Sequence, residues 1–268
     1  STDTHDSGGD LRFFTQDDTT NDTSETVRMI IDQDGNVGIG TTTPDRVLEI
    51  VDTTTRSATQ GGSLRLTADD GAALAAAHRL GVIEFGAAGD ASSNTEIGAS
   101  IQAVSTQLFS GSNFGTKLQF WTADDTDSNL QERMTIIQSG SVGIGTTAPI
   151  AILDVAATNT GSEITLTRQD DTINDTNVLG NINWRSVDAD GTADSDECAR
   201  IQVAAAQIHD GANFGADMIF STADNTSSTL TERLRIEDGG NVGIGTDSPG
   251  HLLSVKTAGT TGHEGMAH

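Results

Sequence analysis

The most recognisable chemical pattern in the sequence is a run of glycines typical of dinucleotide-binding loops. Residues 143–148 read Gly-Ile-Gly-Thr-Thr-Ala and satisfy the G-x-G-x-x-A pattern. A dinucleotide site needs a helix to begin there, so that its first N–H groups face the pyrophosphate. Here Pro149 follows directly, and two further copies of the stretch carry Thr43 and Ser248 at the last position. The pattern therefore favours a structural role, and no cofactor-binding residue is predicted.

An acidic stretch at 186–197, SVDADGTADSDE, has the spacing of a calcium-binding loop. Asp188, Asp190, Asp194 and Glu197 fall at positions 3, 5, 9 and 12 of an EF-hand loop, where that loop places ligands. Position 1, normally Asp, is Ser186, and no flanking helices are expected. A solvated acidic hairpin loop is the favoured interpretation, and calcium binding by these four carboxylates is the alternative.

Neither the histidines nor the cysteine has the surroundings that catalysis or metal binding requires. His263 and His268 lie five residues apart, which places them on opposite faces of a strand and matches no metal-ligand spacing. Cys198 has no obvious activator, and there is no G-x-S-x-G motif for a serine nucleophile. The other histidines are isolated: His5, His78, His209 and His251. We predict that the chain is not an enzyme and has no catalytic or metal-binding residues.

Charge and composition exclude further classes of function. Asp and Glu total 39 against 14 Lys and Arg, so the formal net charge is −25, which repels the phosphates of nucleic acids. No apolar run approaches the ~18 residues that cross a bilayer, so membrane insertion is not expected. Only 34% of the 268 residues are hydrophobic, which fits either disorder or a β-rich protein with small cores. The order of the residues decides between these two.

Internal repetition is the dominant feature of that order. The motif Val-Gly-Ile-Gly-Thr begins at Val37, Val142 and Val242, which lie 105 and 100 residues apart. All three prolines occupy one position of the motif: Pro44, Pro149 and Pro249. We therefore divide the chain into the second half of a repeat unit at 1–50, complete units at 51–155 and 156–255, and the start of a further unit or a tail at 256–268. Because the chain begins in the middle of one unit and ends near the start of the next, we expect it to be a section of a longer array of repeats.

Within each repeat, apolar and polar residues alternate with a period of two, which predicts β-strands. A strand of the type Arg-Met-x-Ile is followed by a turn rich in Asp, Gly, Ser and Asn and then by Val-Gly-Ile. This order predicts a β-hairpin, because glycine and asparagine tolerate the positive φ of tight turns. A proline then ends the pairing, and a last short strand follows at Leu48 and Ile50 and at the matching positions of the other copies. The predicted fold is all-β.

The repeats also predict association. Each has too few large apolar residues to order about a hundred residues alone, and parallel chains around an axis would cover each other's half-exposed faces. The glycines of Val-Gly-Ile-Gly suit backbones that approach closely, as at a symmetry axis. An arginine precedes each hairpin, and we expect it to form a bidentate pair with an acid of the same or another chain. These arginines are Arg28, Arg133 and Arg233. An elongated, repeat-built homo-oligomer is expected.

The repeat motifs resemble those of bacteriophage tail fibres. The residues that carry the resemblance are Glu132-Arg133-Met134-Thr-Ile, Gly140-Ser-Val-Gly-Ile-Gly-Thr-Thr-Ala-Pro149 and Leu153-Asp-Val, and the copy from Glu232 to Pro249 is closer still. The resemblance covers essentially the whole chain and implies a homotrimeric, β-structured fibre shaft in a virion, often followed in the full gene by a self-cleaving intramolecular chaperone. It implies other tail or fibre proteins as partners at the ends, and a host cell surface reached through a tip outside this segment. A bacterial extracellular filament or adhesin subunit is the alternative, and a capsule depolymerase is the least favoured interpretation.

Overall fold

The computed structural model describes residues 9–16, 25–52, 61–69, 71–89, 95–124, 129–158, 160–187, 195–210, 212–224 and 227–256. These residues form sixteen β-strands and no helix, which confirms the all-β prediction. The chain divides into two compact units, residues 1–162 and 163–268. The first unit contains a four-stranded and a six-stranded sheet, and the second contains one six-stranded sheet.

Each sheet is built from consecutive strands. The first sheet comprises β1 Leu11–Gln16, β2 Glu25–Ile31, β3 Val37–Ile39 and β4 Leu48–Ile50. The second comprises β5 Arg79–Ala88, β6 Thr95–Ser105, β7 Thr116–Ala123, β8 Leu130–Ile136, β9 Val142–Ile144 and β10 Leu153–Val155. The third comprises β11 Val178–Val187, β12 Ser195–Ala205, β13 Ala216–Asp224, β14 Ser227–Ile236, β15 Val242–Ile244 and β16 Leu253–Val255. Neighbours in the chain are neighbours in the sheet, so the connections are local.

The short strand predicted after each proline is present, but it pairs in parallel with the strand before the proline. Val142 lies opposite Leu153, and β3–β4 and β15–β16 repeat this arrangement. The hairpin predicted before the proline is also present, with Met134 of β8 opposite Ile144 of β9 in an antiparallel pair. A parallel pair requires the chain to return to the starting end of the strand. The proline lies in that crossover, where no ladder N–H is needed.

The second glycine of each Val-Gly-Ile-Gly motif permits this tight return. Gly145 has a φ of +72°, a left-handed conformation that other residues rarely adopt, and a Cβ there would collide with the Ala156 carbonyl oxygen. Its N–H donates to the Arg133 carbonyl at 2.9 Å, and the Ala156 N–H donates to the Ile144 carbonyl at 2.9 Å. Gly40 and Gly245 repeat this conformation and crowding. The close approach expected at a symmetry axis is therefore made within one chain.

The sheets have almost no apolar core of their own. The buried hydrophobic residues in the described part of the chain are Ile30, Val104, Ala204 and Ala205. Within each unit, strands contact only strands of their own sheet, so no second strand layer covers any described sheet. The fold is therefore a set of single layers.

A carboxylate stabilises the turn between β2 and β3. Asp32 accepts hydrogen bonds from the N–H of Asp34 at 2.9 Å, the N–H of Asn36 at 2.8 Å and the side-chain amide of Asn36 at 3.1 Å. Desolvation raises the pKa of Asp32, but these hydrogen bonds together outweigh it, so the net pKa is lowered. The ionised carboxylate therefore stabilises the folded turn.

Replacing Asp32 with Ala should lower the melting temperature at neutral pH, and the difference from the wild type should vanish in acid. A carboxyl group whose folded pKa is lowered contributes stability above its unfolded pKa, and that contribution is lost as the pH falls through the folded value. Thermal unfolding of both proteins from neutral pH to about pH 2 checks this. Asp34→Ala is the control, and a difference between wild type and Asp32→Ala that stayed constant over this range would contradict the assignment.

Gly145→Ala should destabilise the protein more than Gly140→Ala. Both glycines have positive φ, +72° and +86°, so each alanine should cost about 1–2 kcal/mol through backbone strain. At Gly145 the added Cβ would also collide with a backbone oxygen, whereas at Gly140 it would meet open space. Denaturant unfolding of the two variants measures the difference. Equal losses of stability would argue against the tight crossover.

Candidate association surface

The strand register gathers apolar residues on one face of each sheet. In the second sheet, one row across the six strands is Ile83, Ile101, Phe120, Met134, Ile144 and Val155. The adjacent row on that side is Gly81, Ala103, Leu118, Ile136, Val142 and Leu153. Residues opposite each other in a ladder point to the same side, as do residues two apart along a strand. These two rows, and their equivalents in the other sheets, are called the apolar face; the other side is the polar face.

The apolar face is open to solvent. Ile83 is 48% exposed, Ile144 43% and Leu153 55%. On the polar face, Gln119 is 3% exposed and Thr135 is fully buried. A sheet with one covered face normally buries its apolar side and turns the polar side to water. The apolar face thus has the composition of a core layer, but the second layer that would complete that core is not provided by the described strands.

The same surface recurs in the other two sheets. In the third sheet the row is Ile182, Ile201, Phe220, Leu234, Ile244 and Val255. In the first sheet the row is Phe13, Met29, Ile39 and Ile50. The equivalent residues Ile39, Ile144 and Ile244 are 40%, 43% and 41% exposed. Three repeats expose the same apolar positions to the same extent, so the exposure belongs to the repeat and not to a local irregularity.

Polar side chains on the opposite face of the second sheet bind one another. Gln102 Nε2 donates to Gln119 Oε1 at 3.1 Å, and Gln119 Nε2 donates to a carboxylate oxygen of Glu132. Gln102 and Gln119 lie directly opposite in the ladder between β6 and β7. The three side chains therefore form a chain of hydrogen bonds across adjacent strands, which makes burial of Gln119 tolerable.

Arg235 organises the polar face of the third sheet. It donates to both carboxylate oxygens of Glu232, from Nε at 3.0 Å and from Nη2 at 2.8 Å, and from Nη1 to Asp217. The hydrogen bonds to Glu232 raise the pKa of Arg235; desolvation opposes them, and the charges of Glu232 and Asp217 reinforce them. The sequence interpretation missed this cluster. An alignment of the repeats carries its signal, because Arg235 and Asp217 replace Thr135 and Lys117.

The arginine before each hairpin occupies a β-bulge. Phe120 pairs with Met134 and Trp121 pairs with Glu132, so Arg133 is the extra residue of its strand. Each of these arginines donates from Nε to a threonine hydroxyl on the preceding strand: Arg28 to Thr15 at 2.7 Å, Arg133 to Thr122 at 3.0 Å and Arg233 to Thr222 at 3.0 Å.

An acid does lie beside Arg133, whose Nη2 is 3.9 Å from a carboxylate oxygen of Asp124. The bidentate pair that we expected for these arginines, with an acid of the same or another chain, stays a prediction. The bulge turns each arginine toward its threonine because it shifts the register by one residue. The recurring threonine was visible in the sequence, but its role depends on the bulge.

The residues considered for calcium binding lie mostly outside the described residues. This holds for Asp188, Asp190 and Asp194, whereas Glu197 is described and its carboxylate lies 4.0 Å from the Arg200 guanidinium. Among the residues that the structure describes, no three His, Cys, Asp or Glu side chains are grouped so that they could hold a metal ion.

The isolated histidines make ordinary structural contacts where they are described. His209 Nε2 lies 3.1 Å from the Gly215 carbonyl oxygen, and the backbone N–H of His78 donates to the Ser105 hydroxyl at 3.0 Å. Cys198 is exposed in β12. His5, His263 and His268 lie outside the described residues. Over the described ranges, no helix has the length and apolar character needed to cross a membrane.

Comparison with known proteins gives matches only among solved structures. No protein-family model and no curated protein matches the sequence. The chain is similar to the carboxy-terminal domain of the bacteriophage T5 L-shaped tail fibre, with a TM-score of 0.35 and 10% identity over 76% of this chain and 93% of that chain. It is also similar to that domain together with its intramolecular chaperone domain, with a TM-score of 0.34 and 10% identity over 76% and 63% of the two chains. Similarity at this level transfers no activity or residue role to this chain.

Arg235→Met should destabilise the third sheet more than Arg233→Met. Removing Arg235 leaves the carboxylates of Glu232 and Asp217 close together without their cation, at a cost of about 2 kcal/mol. Arg233 lies two residues away on the same strand, is exposed and donates to a threonine hydroxyl, so its loss should cost under about 1 kcal/mol. Hydrogen exchange of β13 and β14 in the two variants reports the difference. Equal protection in both would show that the cluster contributes nothing.

Proposed function

We propose that the chain is a structural protein: a shaft segment of a viral (phage) tail fibre that works as a homotrimer and supports attachment to a host surface. The observation that carries this proposal is the exposed apolar face, which recurs in all three sheets. A surface that must be covered, repeated about every hundred residues, suits an assembly in which every repeat contributes the same interface. The resemblance of the repeat motifs to those of phage tail fibres supports the same assignment.

Further copies of the same chain are the proposed cover for the apolar face. Chains aligned in parallel would bring equivalent faces together around an axis, and three single-layer sheets would enclose a three-sided core. Permanent oligomer interfaces are large and apolar and resemble a domain core cut into parts. The exposed apolar side chains of the single chain, such as Ile83, Ile144 and Leu153, are of the kind that such an interface would bury.

The distribution of charge supports this arrangement. The two rows of the apolar face contain no ionisable residue in the second sheet, and none in the third. Association through the apolar face would therefore leave the net charge of −25 per chain on the outside. A strongly acidic exterior keeps fibres apart and discourages binding to other anionic surfaces.

Such a shaft acts mechanically and through multivalency. The number of repeats would set the reach of the fibre, and several fibres on one virion would raise the avidity for a host surface. Other tail or fibre proteins would hold the two ends. No step of this role needs a catalytic residue or a cofactor.

A bacterial extracellular filament or adhesin subunit is the second candidate. The observation that favours it is the long outermost strand of each six-stranded sheet, β5 or β11, which is paired on one side only. An open strand edge can receive a strand from another subunit and so join subunits in a chain. The two candidates differ in solution, because a shaft segment forms a discrete oligomer and a filament subunit polymerises.

Ile144→Asp should dissociate the oligomer or prevent its assembly. The substitution places a charge within the apolar face, and a buried charge without a partner costs several kcal/mol. Sedimentation equilibrium should give about 83 kDa for the wild type, three times the 27.8 kDa of one chain, and a shift toward the monomer for the variant.

Ile150→Asp is the matched control for that experiment. Ile150 is 95% exposed in the crossover between β9 and β10, and the first repeat carries Asp45 at the same position. It should therefore leave the assembly intact. A wild-type monomer, or equal behaviour of the two variants, would refute the proposed assembly, and polymers of indefinite length would favour the filament.

A further inference from the structure

Two segments of the chain have the sequence of strands but belong to no ladder. Residues 62–69 and 161–170 run without turn, bend or helix, and nearly all of these residues are exposed. Apolar and polar residues alternate in both, as Ser-Leu-Arg-Leu-Thr at 63–67 and Glu-Ile-Thr-Leu-Thr at 163–167. Leu64 is 66% exposed and Ile164 is 71% exposed. The two segments occupy equivalent positions in the two complete repeats.

The backbone of both segments lacks partners within the chain. No N–H or carbonyl group of residues 63–67 or 163–167 forms a backbone hydrogen bond with another described residue. Backbone N–H and C=O groups are strong hydrogen-bonding groups. An extended run that leaves them open to solvent is a ready template for pairing with another strand.

Side-chain packing against a glycine holds each segment beside its own sheet. The Cβ of Leu66 lies 2.7 Å from the position that a Cβ of Gly81 would occupy. In the third sheet, the Cβ of Leu166 lies 3.0 Å from the corresponding position at Gly180. Each glycine therefore makes room for a leucine near the start of the outermost strand. The Leu66 carbonyl oxygen also lies 3.5 Å from the Cβ position of Gly81, but the contact is one of packing, and no backbone hydrogen bond joins this described segment to β5.

We propose that residues 63–67 and 163–167 are strands exchanged between copies of this chain. In a second copy, 63–67 adds to the outer edge of β5 and 163–167 adds to the outer edge of β11. The proposal rests on the self-association proposed above, and it names the backbone contact through which the copies hold one another. A segment that adds to a sheet edge gains main-chain hydrogen bonds, and its alternate side chains continue the two faces of the sheet.

β5 and β11 offer the edges that such strands need. Each is ten residues long and is the outermost strand of its sheet, and each is paired on one side only, with β6 or β12. In the described part of the chain, no backbone group hydrogen-bonds to the other side of either strand, and the Arg168 side chain donates from Nη1 to the Val178 carbonyl at the start of β11, at 3.0 Å. Proteins usually shorten or protect an edge of this length, because it invites pairing with another chain. Exchange between copies would satisfy both edges.

The faces and charges of the first segment fit β5. Leu64 and Leu66 would extend the apolar face next to Ile83. Arg65 lies between them in the sequence and would then fall on the polar face, near the exposed carboxylate of Glu84, which in the single chain lies 3.9 Å from the Arg79 guanidinium. Opposite charges on neighbouring strands stabilise the pairing.

The second segment repeats this fit with the charges reversed. Glu163 lies on the polar side of its segment, and Arg185 is exposed on the polar side of β11. Glu84 aligns with Asn183 in the repeats, so one antiparallel register that places Arg65 opposite Glu84 in the second sheet places Glu163 opposite Arg185 in the third. In that register, exchanging the two segments would put Glu163 opposite Gly86 and Arg65 opposite Asn183, and both opposite-charge pairs would be lost. The charges therefore select the pairing of each segment with the edge strand of its own repeat in the second copy.

This exchange is also compatible with a closed ring of chains. The segment that is donated and the edge that receives it are different surfaces of one chain, so the contact is heterologous. A heterologous contact closes into a ring when the rotation between copies allows it, and a ring of three satisfies every segment and every edge.

Hydrogen exchange on the full-length chain tests the backbone pairing. In a sample whose assembly is confirmed by sedimentation, some of the amides at 63–67 and 163–167 should exchange at least ~100-fold more slowly than in an unstructured peptide. The same amides in the Ile144→Asp variant should lose that protection if it is monomeric.

Cross-linking between chains tests the partner strand. Arg65→Cys and Glu84→Cys are made in separate chains that also carry Cys198→Ser, and the two are refolded together and treated with a short bifunctional maleimide. A cross-linked dimer should form in this mixture, and neither chain should cross-link to the same extent alone. Arg65→Cys with Arg185→Cys is the control, because it combines a segment with the edge strand of the other repeat. It should give no dimer above the single-variant background.

Each outcome separates the two proposals. An assembled protein whose segments exchange freely and do not cross-link would overturn strand exchange and leave the proposed function standing. An assembled protein that cross-links through Arg185→Cys instead would overturn the assignment of each segment to its own repeat. A monomeric wild type would overturn the proposed function and strand exchange together.

Discussion

A β-sheet has two faces, and in this protein the apolar one is left open, which is unfavourable for a molecule that acts alone. On the polar side Gln119 and Thr135 are buried, whereas Ile83 and Ile144 on the apolar side are open to solvent. Burial of apolar surface is the dominant favourable term in folding. A row of Ile, Phe, Met and Val that stays exposed across six strands therefore leaves out a large part of the possible stabilisation. Everything else in the structure is arranged around this deficit: the single-layer sheets, the small core and the placement of charge away from the open rows.

The polar faces of the second and third sheets are stabilised by different side-chain interactions on the same backbone arrangement. In the second sheet, neutral amides pass hydrogen bonds from Gln102 through Gln119 to Glu132. In the third sheet, an ion cluster around Arg235 occupies the corresponding place, and Ile219 replaces the central amide. Removing one member of either cluster leaves a polar group without its partner, so the positions had to change together. The apolar rows changed much less between the repeats, as expected of positions constrained by a common interface.

Much of the fold follows from local pattern, whereas the surface that matters for assembly does not. Period-two alternation and glycine-rich turns identify the strands and the hairpin because both depend on neighbouring residues. The parallel pairing of Leu153 with Val142 depends on a return of the chain that no local signal encodes. The bulge at Arg133 shifts the register by one residue, and this is why its Nε donates to Thr122. Sequence alternation marks an apolar face, but whether that face is covered depends on contacts between residues that are distant in the sequence, which alternation does not encode.

The confinement of each hydrogen-bonded ladder to one repeat has an evolutionary consequence. Every described strand pairs with strands of its own repeat, so no hydrogen-bonded ladder spans a repeat boundary. Gain or loss of a stretch of about a hundred residues between two Val-Gly-Ile-Gly-Thr motifs would leave each remaining ladder complete. Near-identical motifs are also natural points for unequal recombination between gene copies. A lineage can therefore change the length of this protein by whole units, without passing through an intermediate that has a broken sheet.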